Sequence, residues 1–364
     1  MTSPPPRTEP LLFSRFPKLK PRLPWTPLLA GPTPAAPLLN VSRRLGREVW
    51  IKRDDLTSPL YGGNKPRKLE FILAEAQAGG RTTLVTGGGI GTNHGLATAI
   101  FGRRLGLEVI LLLFDQPLTA HVRRQLRLFH FHQARMVYCG LLPGFVARYY
   151  ISERLKRPGA YFIEPGGSNV AGVLGYVEAA LEMAGQIERG EMPEPADCYV
   201  AAGTCGTLAG LALGLKLAGL KTRVIGVKVA TSLSANTGKA LRLARRSLAL
   251  LRSHDPSIPE VRLAAGDLAV DPDHYGPGYG HRTPECCAAF DLMAEAEGLT
   301  LDHTYTAKTF AALCRHCADA SGPGPLLFIN SFNSVDLSAQ AEAVDYRRLP
   351  PAFHRFFKNE SPEE

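Results

Sequence analysis

Cys198-Tyr199-Val200-Ala201-Ala202-Gly203-Thr204-Cys205-Gly206-Thr207 is the stretch on which the fold turns. Five apolar residues of strand length run into a glycine-rich turn, and the apolar run TLAGLALGLKLAG then begins a helix. Glycines let the backbone turn tightly and expose successive N–H groups, while the helix start adds the positive end of its dipole. Such a turn is either a plain structural corner or a cradle for phosphate. It lacks the Gly-Lys-Ser/Thr of a nucleoside-triphosphate loop and the full GxGxxG of a dinucleotide site.

Outward from this unit the chain repeats the pattern. Strands are expected at 83–86, 108–114, 135–139, 161–164, 198–202, 223–229 and 325–329. Helices are expected at 67–78, 93–105, 120–132, 143–155, 206–217, 235–252, 284–298 and 307–320. Strand–helix alternation implies parallel sheets covered by helices, with ligands outside the carboxyl ends of the strands. Two such series imply an α/β fold of two domains with twisted parallel sheets and a cleft between them.

Two further segments carry chemistry. Tyr61-Gly62-Gly63-Asn64-Lys65-Pro66-Arg67-Lys68-Leu69-Glu70 presents a lysine after a Gly-Gly turn and before a proline suited to a first helical turn. Arg67 and Lys68 nearby would repel its charge and favour the free amine that a Schiff base needs. The plainer reading is three cations on an exposed first turn. Thr86-Gly87-Gly88-Gly89-Ile90-Gly91-Thr92-Asn93-His94-Gly95 runs from a strand through glycines into a helix. Thr92 is either an ordinary N-cap or part of a carboxylate seat.

These segments, in this order, resemble the D-cysteine desulfhydrase and 1-aminocyclopropane-1-carboxylate deaminase family of pyridoxal-phosphate enzymes. GGNKPRKLE is similar to its cofactor-lysine motif. FPKLKPRLPWTPLLAGPTPAAPL resembles its amino-terminal arm, and Gly166-Gly167-Ser168-Asn169 with Gly172, Gly175-Tyr176 and Glu178 its GGSN…GYVE segment. Gly278-Tyr279-Gly280 and Leu301-Asp302-His303-Thr304-Tyr305-Thr306-Ala307-Lys308 resemble its two tyrosine motifs. The collinear blocks run from about Phe13 to about Asn330.

The resemblance implies a tryptophan-synthase-β-like fold of type II. A large domain would comprise residues 1–67, with the arm, and 177–345. A small α/β domain would comprise 68–176, and 346–364 would be a tail. It implies pyridoxal 5'-phosphate as cofactor, held in the cleft, with Lys65 as the Schiff-base lysine and proton carrier. Lys68 and the backbone of Gly203, Thr204, Cys205, Gly206 and Thr207 would hold the phosphate, and Thr306 would face the pyridine nitrogen. Asn93 would bond the phenolic oxygen; Thr92, Asn93 and His94 would receive the substrate carboxylate; Tyr279 and Tyr305 would flank the substrate. A neutral hydroxyl at Thr306, where the deaminase branch carries Glu, suits elimination, because the leaving group takes the electrons.

The implied reaction is α,β-elimination from a small amino acid such as D-cysteine, giving a keto acid and ammonia. Deaminase, racemase or β-replacement chemistry are alternatives, as is a catalytically silent cofactor-binding protein. Departures from the family pattern motivate the last. Thr92 stands for Ser and Gly91 for Gln, and Ile329-Asn330-Ser331-Phe332-Asn333-Ser334 replaces a small His-Thr-Gly-Gly turn, so Phe332 adds bulk. Cys205 in the phosphate loop reads as a small filler.

Composition sets the boundaries. The net charge of +9 is spread along the chain without a dense basic run interleaved with aromatics, which argues against nucleic acid and favours anionic small ligands. No apolar run suits a membrane span, and no secretory signal pattern opens the chain. Seven cysteines are an odd number that fits reduced thiols in a cytoplasm. Cys314 and Cys317 form a CxxC inside a helical run, read as two helix-face thiols rather than a metal site. His121, His130 and His132 read as a solvated or partner-facing surface, whereas His274, His281, His303 and Tyr61 sit near the motifs. The first ten residues and KNESPEE look disordered by composition. A homodimer is the default implied by the family.

Overall fold

The computed structural model describes residues 8–319 and 324–358; most of the two ends whose composition suggests disorder lies outside them. Among the described residues the strands, in chain order, are β1 (Ala35–Pro37), β2 (Val49–Lys52), β3 (Thr83–Gly89), β4 (Glu108–Phe114), β5 (Arg135–Gly140), β6 (Tyr161–Phe162), β7 (Asp197–Ala202), β8 (Arg223–Lys228), β9 (Leu268–Asp271) and β10 (Leu326–Ile329).

The chain divides into two compact units, one of residues 1–71 and 168–334, the other of residues 72–167 and 335–364. The breaks thus differ from those read off the sequence at 67/68 and 176/177. Ser168 to Tyr176 go with the first unit, because they open the helix Val170–Glu188, which packs along the helix Gly206–Leu217. Gly210 and Gly214 permit that approach: a Cβ on either would meet residues 173–180 at 2.4–2.7 Å. The 346–364 tail is a second correction. Its described part forms 3₁₀ turns, and Phe353 and Phe356 stack edgewise on Tyr138 of β5 within the second unit.

The first unit is built on a six-stranded sheet in the order β1-β2-β10-β7-β8-β9, parallel except for β1 at one edge. Its inner strands bury every residue or nearly so, as a sheet covered on both faces requires. The second unit has a four-stranded parallel sheet in the order β5-β4-β3-β6. Strand β4, EVILLLF, is buried from Val109 to Leu113, the run of apolar residues that its central place demands.

Three strands and one long helix escape the sequence reading. β1, β2 and β9 are only three or four residues long, and each lies at or next to an edge of the sheet. The helix Val170–Glu188 is buried around most of its circumference, so it lacks the polar face whose period marks a helix. The expected helix at 143–155 is broken into the turns Leu142–Ala147 and Glu153–Lys156 around a π-helical turn at Arg148–Ser152.

Candidate active site

The helix Asn64–Ala78 follows the Gly62–Gly63 turn, and Lys65 lies in its first turn. The turn is braced from behind by the segment that departs from the family pattern. Gly62 N–H donates to Asn333 Oδ1 at 2.6 Å, Asn64 N–H donates to the Ser331 carbonyl, and Ser334 Oγ donates to the Asp55 carbonyl. Gly63 has φ +84°, and a Cβ there would lie 2.6 Å from the Ser331 oxygen. Gly63→Ala is therefore expected to cost more than the ~1–2 kcal/mol of the left-handed backbone alone. Chemical denaturation of the variant, alongside its cofactor content, checks this.

Burial pulls the Lys65 amine down to about 8, so much more of it is uncharged near neutral pH than of an ordinary lysine, and most of it in mildly alkaline solution. Repulsion by Arg67, expected from the sequence, is not the cause. Arg67 is buried and points the other way, into Asp54 at 2.8 Å and Glu182 at 2.9 Å. Lys52 joins Glu182 at 2.6 Å, and Tyr176 donates to Asp54 at 2.7 Å. Two cations and two carboxylates thus cancel beneath the first turn of the helix. Gly175 lies directly against it, where a Cβ would be 2.0 Å from the Arg67 carbonyl oxygen.

Lys68 is buried and faces the glycine-rich turn after β7. A Cβ built on Gly206 would lie 3.0 Å from Lys68 Nζ and 2.6 Å from Ser168 Oγ. Burial first, and the charge of Lys65 second, push the Lys68 ammonium well down. Ser168 Oγ accepts from Gly206 N–H at 3.1 Å and pairs with Thr204 Oγ1 at 2.6 Å; Asn64 Nδ2 donates to Thr207 Oγ1 at 3.3 Å. Ammonium, hydroxyls and the N-terminal amides of the helix Gly206–Leu217 converge in one cradle. Cys205 holds φ +69°, a left-handed position that favours glycine, and its buried thiol lies near the carbonyls of Ser234 and Asn236.

Tyr279 and Tyr305, also in the first unit, share a short hydrogen bond between their hydroxyls, with ring centroids 6.1 Å apart. Burial raises both phenols, Tyr305 the more, so both stay protonated at neutral pH, one proton bridging the pair. The next residue, Thr306, is not the isolated hydroxyl the sequence suggests. Its Oγ1 donates to Asp302 Oδ2 at 2.8 Å and accepts the Asp302 N–H at 2.8 Å. With its proton committed, the hydroxyl offers a neighbour a lone pair backed by a carboxylate. Of the other nearby candidates, His274 pairs with Asp271 at 3.2 Å and His303 stacks on Phe290, so both are already engaged.

In the second unit β3 ends in Gly87-Gly88-Gly89 and the helix Asn93–Arg104 begins at the Thr92 N-cap, whose Oγ1 accepts from Gly95 N–H at 3.2 Å. Accepting leaves the Thr92 proton available for donation to an anion. Thr86 Oγ1 lies 3.1 Å from His94 Nε2 and 3.0 Å from the Ile163 carbonyl. At Gly91, the place of the family's Gln, Gln116 reaches in: its Oε1 accepts from Gly91 N–H at 3.0 Å, and a Cβ on Gly89 would collide with it. Asn93 Oδ1 accepts from Gln125 Nε2 at 2.6 Å, and Gln125 Nε2 also meets His121 Nε2 at 3.2 Å. His121 is therefore part of this network rather than of a solvated surface.

Sequence reasoning missed Ser168, Asn64, Gln116, Gln125 and Asp302. Ser168 and Asn64 lie inside the motifs, beside the glycines, so a hydroxyl or amide flanking a turn was their available signal. Asp302 also lies inside a motif but acts through Thr306, whereas Gln116 and Gln125 come from outside the motifs.

A lysine with a depressed pKa and glycine-rich turns at strand carboxyl ends fit an enzyme of the pyridoxal-phosphate class. The family described as pyridoxal-phosphate dependent enzyme matches residues 27–331, and the chain belongs to it. The chain is similar to D-cysteine desulfhydrase of Klebsiella pneumoniae (strain 342) and of Salmonella newport (strain SL254). Each is 35% identical over 337 residues, 90% of this chain and 97% of the relative. Among solved structures it is similar to one described as an ACC deaminase homologue, with TM-score 0.75 and 32% identity over 90% of this chain and 96% of that one. A threonine deaminase from T.th., 21% identical with TM-score 0.59 over 90% of this chain and 98% of that one, shares the fold, type II.

The cofactor of this family is pyridoxal phosphate, and the residues present fit it. Gly206 brings its backbone so close to Ser168 Oγ and Lys68 Nζ that any side chain there would collide with them, and an anion beside the buried Lys68 amine would offset the burial that lowers its pKa. Lys65 lies one helical turn from Lys68, so the two amines belong to the same rigid element.

Proposed function

We propose that this chain is a pyridoxal-phosphate-dependent deaminating lyase that carries out α,β-elimination on a small β-substituted amino acid, with D-cysteine first among its substrates. The observation that carries this reading is the Lys65–Lys68 pair, a buried amine of lowered pKa one turn from a second buried lysine that faces the glycine-rich turn at Gly206. The similarity to D-cysteine desulfhydrases over 90% of the chain supports the substrate class.

When bound, pyridoxal phosphate supplies the electron sink for the charge released at the substrate α-carbon. The chain's residues do the rest. Lys65 Nζ anchors the cofactor and, once freed, takes the α-proton, for which an amine with a pKa of about 8 is suited near neutral pH. Lys68, Ser168 and the Gly203–Thr207 amides hold the phosphate. Asn93 Nδ2 donates to the phenolic oxygen, and the Thr92 hydroxyl with the first amides of its helix, His94 included, receives the substrate carboxylate. Tyr279 and Tyr305, kept protonated by burial, flank the substrate; one phenol proton bridges the pair, and the other is left to donate to the leaving group. Thr306 would face the ring nitrogen; because Asp302 stands behind it, the choice of elimination over ring-opening deamination rests on the relatives rather than on this residue.

No helix among the described residues is long and apolar enough to cross a membrane. A cytoplasmic homodimer is the setting we propose. Seven free thiols suit a reducing compartment, and Leu141, Ile151 and Leu155, at 70, 61 and 77% exposure, leave apolar surface that association would cover.

The test is product analysis of the cofactor-loaded protein on a panel of D- and L-amino acids and 1-aminocyclopropane-1-carboxylate, after light scattering has set its mass. Pyruvate, ammonia and sulfide from D-cysteine, from a particle of two chains, are expected. Keto acid from none of the panel would sink elimination, and a single-chain mass would sink the dimer.

A further inference from the structure

Gln125 sits on the helix Ala120–Phe131, is 3% exposed, and has no part in the chemistry above. Buried glutamine is costly unless its amide is used. Here its Nε2 end is used toward Asn93, across 2.6 Å, and toward His121, across 3.2 Å, while its buried Oε1 has no partner among the described residues. An amide nitrogen only donates, so Asn93 turns its oxygen to Gln125 and His121 Nε2 carries a lone pair. With Oδ1 engaged in this way, the carboxamide of Asn93 presents its Nδ2 hydrogens on the opposite side.

That orientation has chemical consequences. A carboxamide left to itself shows either end to a ligand, since oxygen and nitrogen ends are nearly alike in shape. An anionic oxygen is stabilised by the N–H end and repelled by the carbonyl end. The bond from Gln125 removes the repulsive choice before any ligand arrives, which is preorganisation rather than added contact.

We propose that Gln125 is a positioning residue that fixes the Asn93 carboxamide with its N–H₂ end outward, so that Asn93 serves as a permanent donor to the phenolic oxygen of the cofactor. His121, as acceptor for the second hydrogen of the Gln125 amide, holds that amide in turn. The proposal rests on the reading that Asn93 meets that oxygen.

The test compares Gln125→Leu, Gln125→Glu and Asn93→Ala, each titrated with pyridoxal phosphate from the cofactor-free state and scanned for visible absorbance against pH. Leucine removes the orienting donor; glutamate, an acceptor only, turns the Asn93 amide around. Cofactor affinity is expected to fall about 10-fold for Gln125→Leu and further for Gln125→Glu, as for a lost or reversed hydrogen bond to a charged group. The band that reports the phenolic oxygen should also shift in its pH midpoint, which loosened packing alone would not move. If Asn93→Ala changes affinity and band while both Gln125 variants match wild type, the positioning role is wrong and the reading of Asn93 stands. If Asn93→Ala also matches wild type, both fall. Thermal melts of all three identify any variant that has lost its fold; for such a variant Gln125→Asn, which shortens the donor but keeps it, decides between packing and orientation by restoring one readout or neither.

Discussion

Replacing Lys65 with alanine is expected to lower turnover by at least about 10³-fold, the upper range for losing a positioned proton carrier, compounded by loss of the covalent anchor. Borohydride reduction of the loaded wild-type protein should place label on the Lys65 peptide, and the variant should carry none, although the phosphate cradle still binds pyridoxal phosphate reversibly. A pH dependence accompanies this. The amine is lowered to about 8 by burial, so the free-amine fraction of the wild type rises as pH climbs through that value. The rate at which cofactor-free protein captures pyridoxal phosphate covalently should rise over the same window and level off above it. A midpoint near that of an ordinary exposed lysine would show that burial does not tune Lys65. Label on a different lysine would remove Lys65 from the mechanism altogether.

Glu182→Gln is the second large effect, and it concerns stability. Glu182 lies between Arg67 and Lys52, each fully buried, and accepts from Thr33 as well. Burial by itself would raise the Glu182 carboxyl; Arg67 and then Lys52 outweigh it and hold the group well below the carboxylate range. Neutralising it leaves two buried cations facing the single carboxylate of Asp54, a loss of about 3–5 kcal/mol for a broken buried pair. The loss is read as a lowered midpoint in denaturant. The sign with pH follows from the lowered folded pKa. Stability from Glu182 is fully present above its ordinary value of 4.5 and fades as pH falls below that toward the folded value. Wild type should therefore lose its advantage over the variant only in acid. Equal stability of the two proteins at pH 7 would show that the network contributes nothing net.

The position of this network explains why it matters for function. Arg67 is two residues from Lys65 and one from Lys68, so the charges that anchor the helix also set where both lysines point. An apolar replacement of the whole cluster could be as stable. It would still have to hold the first turn in the same place.

Several features were legible because they are local. A strand, a glycine turn and a helix start are written in consecutive residues, so Gly203–Thr207, Gly87–Thr92 and Gly62–Lys65 announced themselves, and the helix Gly206–Leu217 was read to the residue. Alternating strands and helices determine an α/β fold, because parallel strands need crossovers. The proposal of Lys65 as cofactor lysine came from its motif.

What the tertiary structure decided was the partner of each group. Arg67 reads as one of three cations on a surface turn, yet Asp54 and Glu182, remote in sequence, bury and neutralise it, which leaves burial rather than repulsion to depress Lys65. Thr306 reads as a neutral hydroxyl until Asp302 is seen to take its proton, and nothing in the sequence around Asn93 announces that Gln125 meets its carboxamide oxygen. The helix Val170–Glu188 hides because burial all round erases its period. Sequence by itself determined which chemical groups this protein owns and which turns present them. Hydrogen-bond direction, charge pairing and burial arise between residues distant along the chain, and only folding sets them.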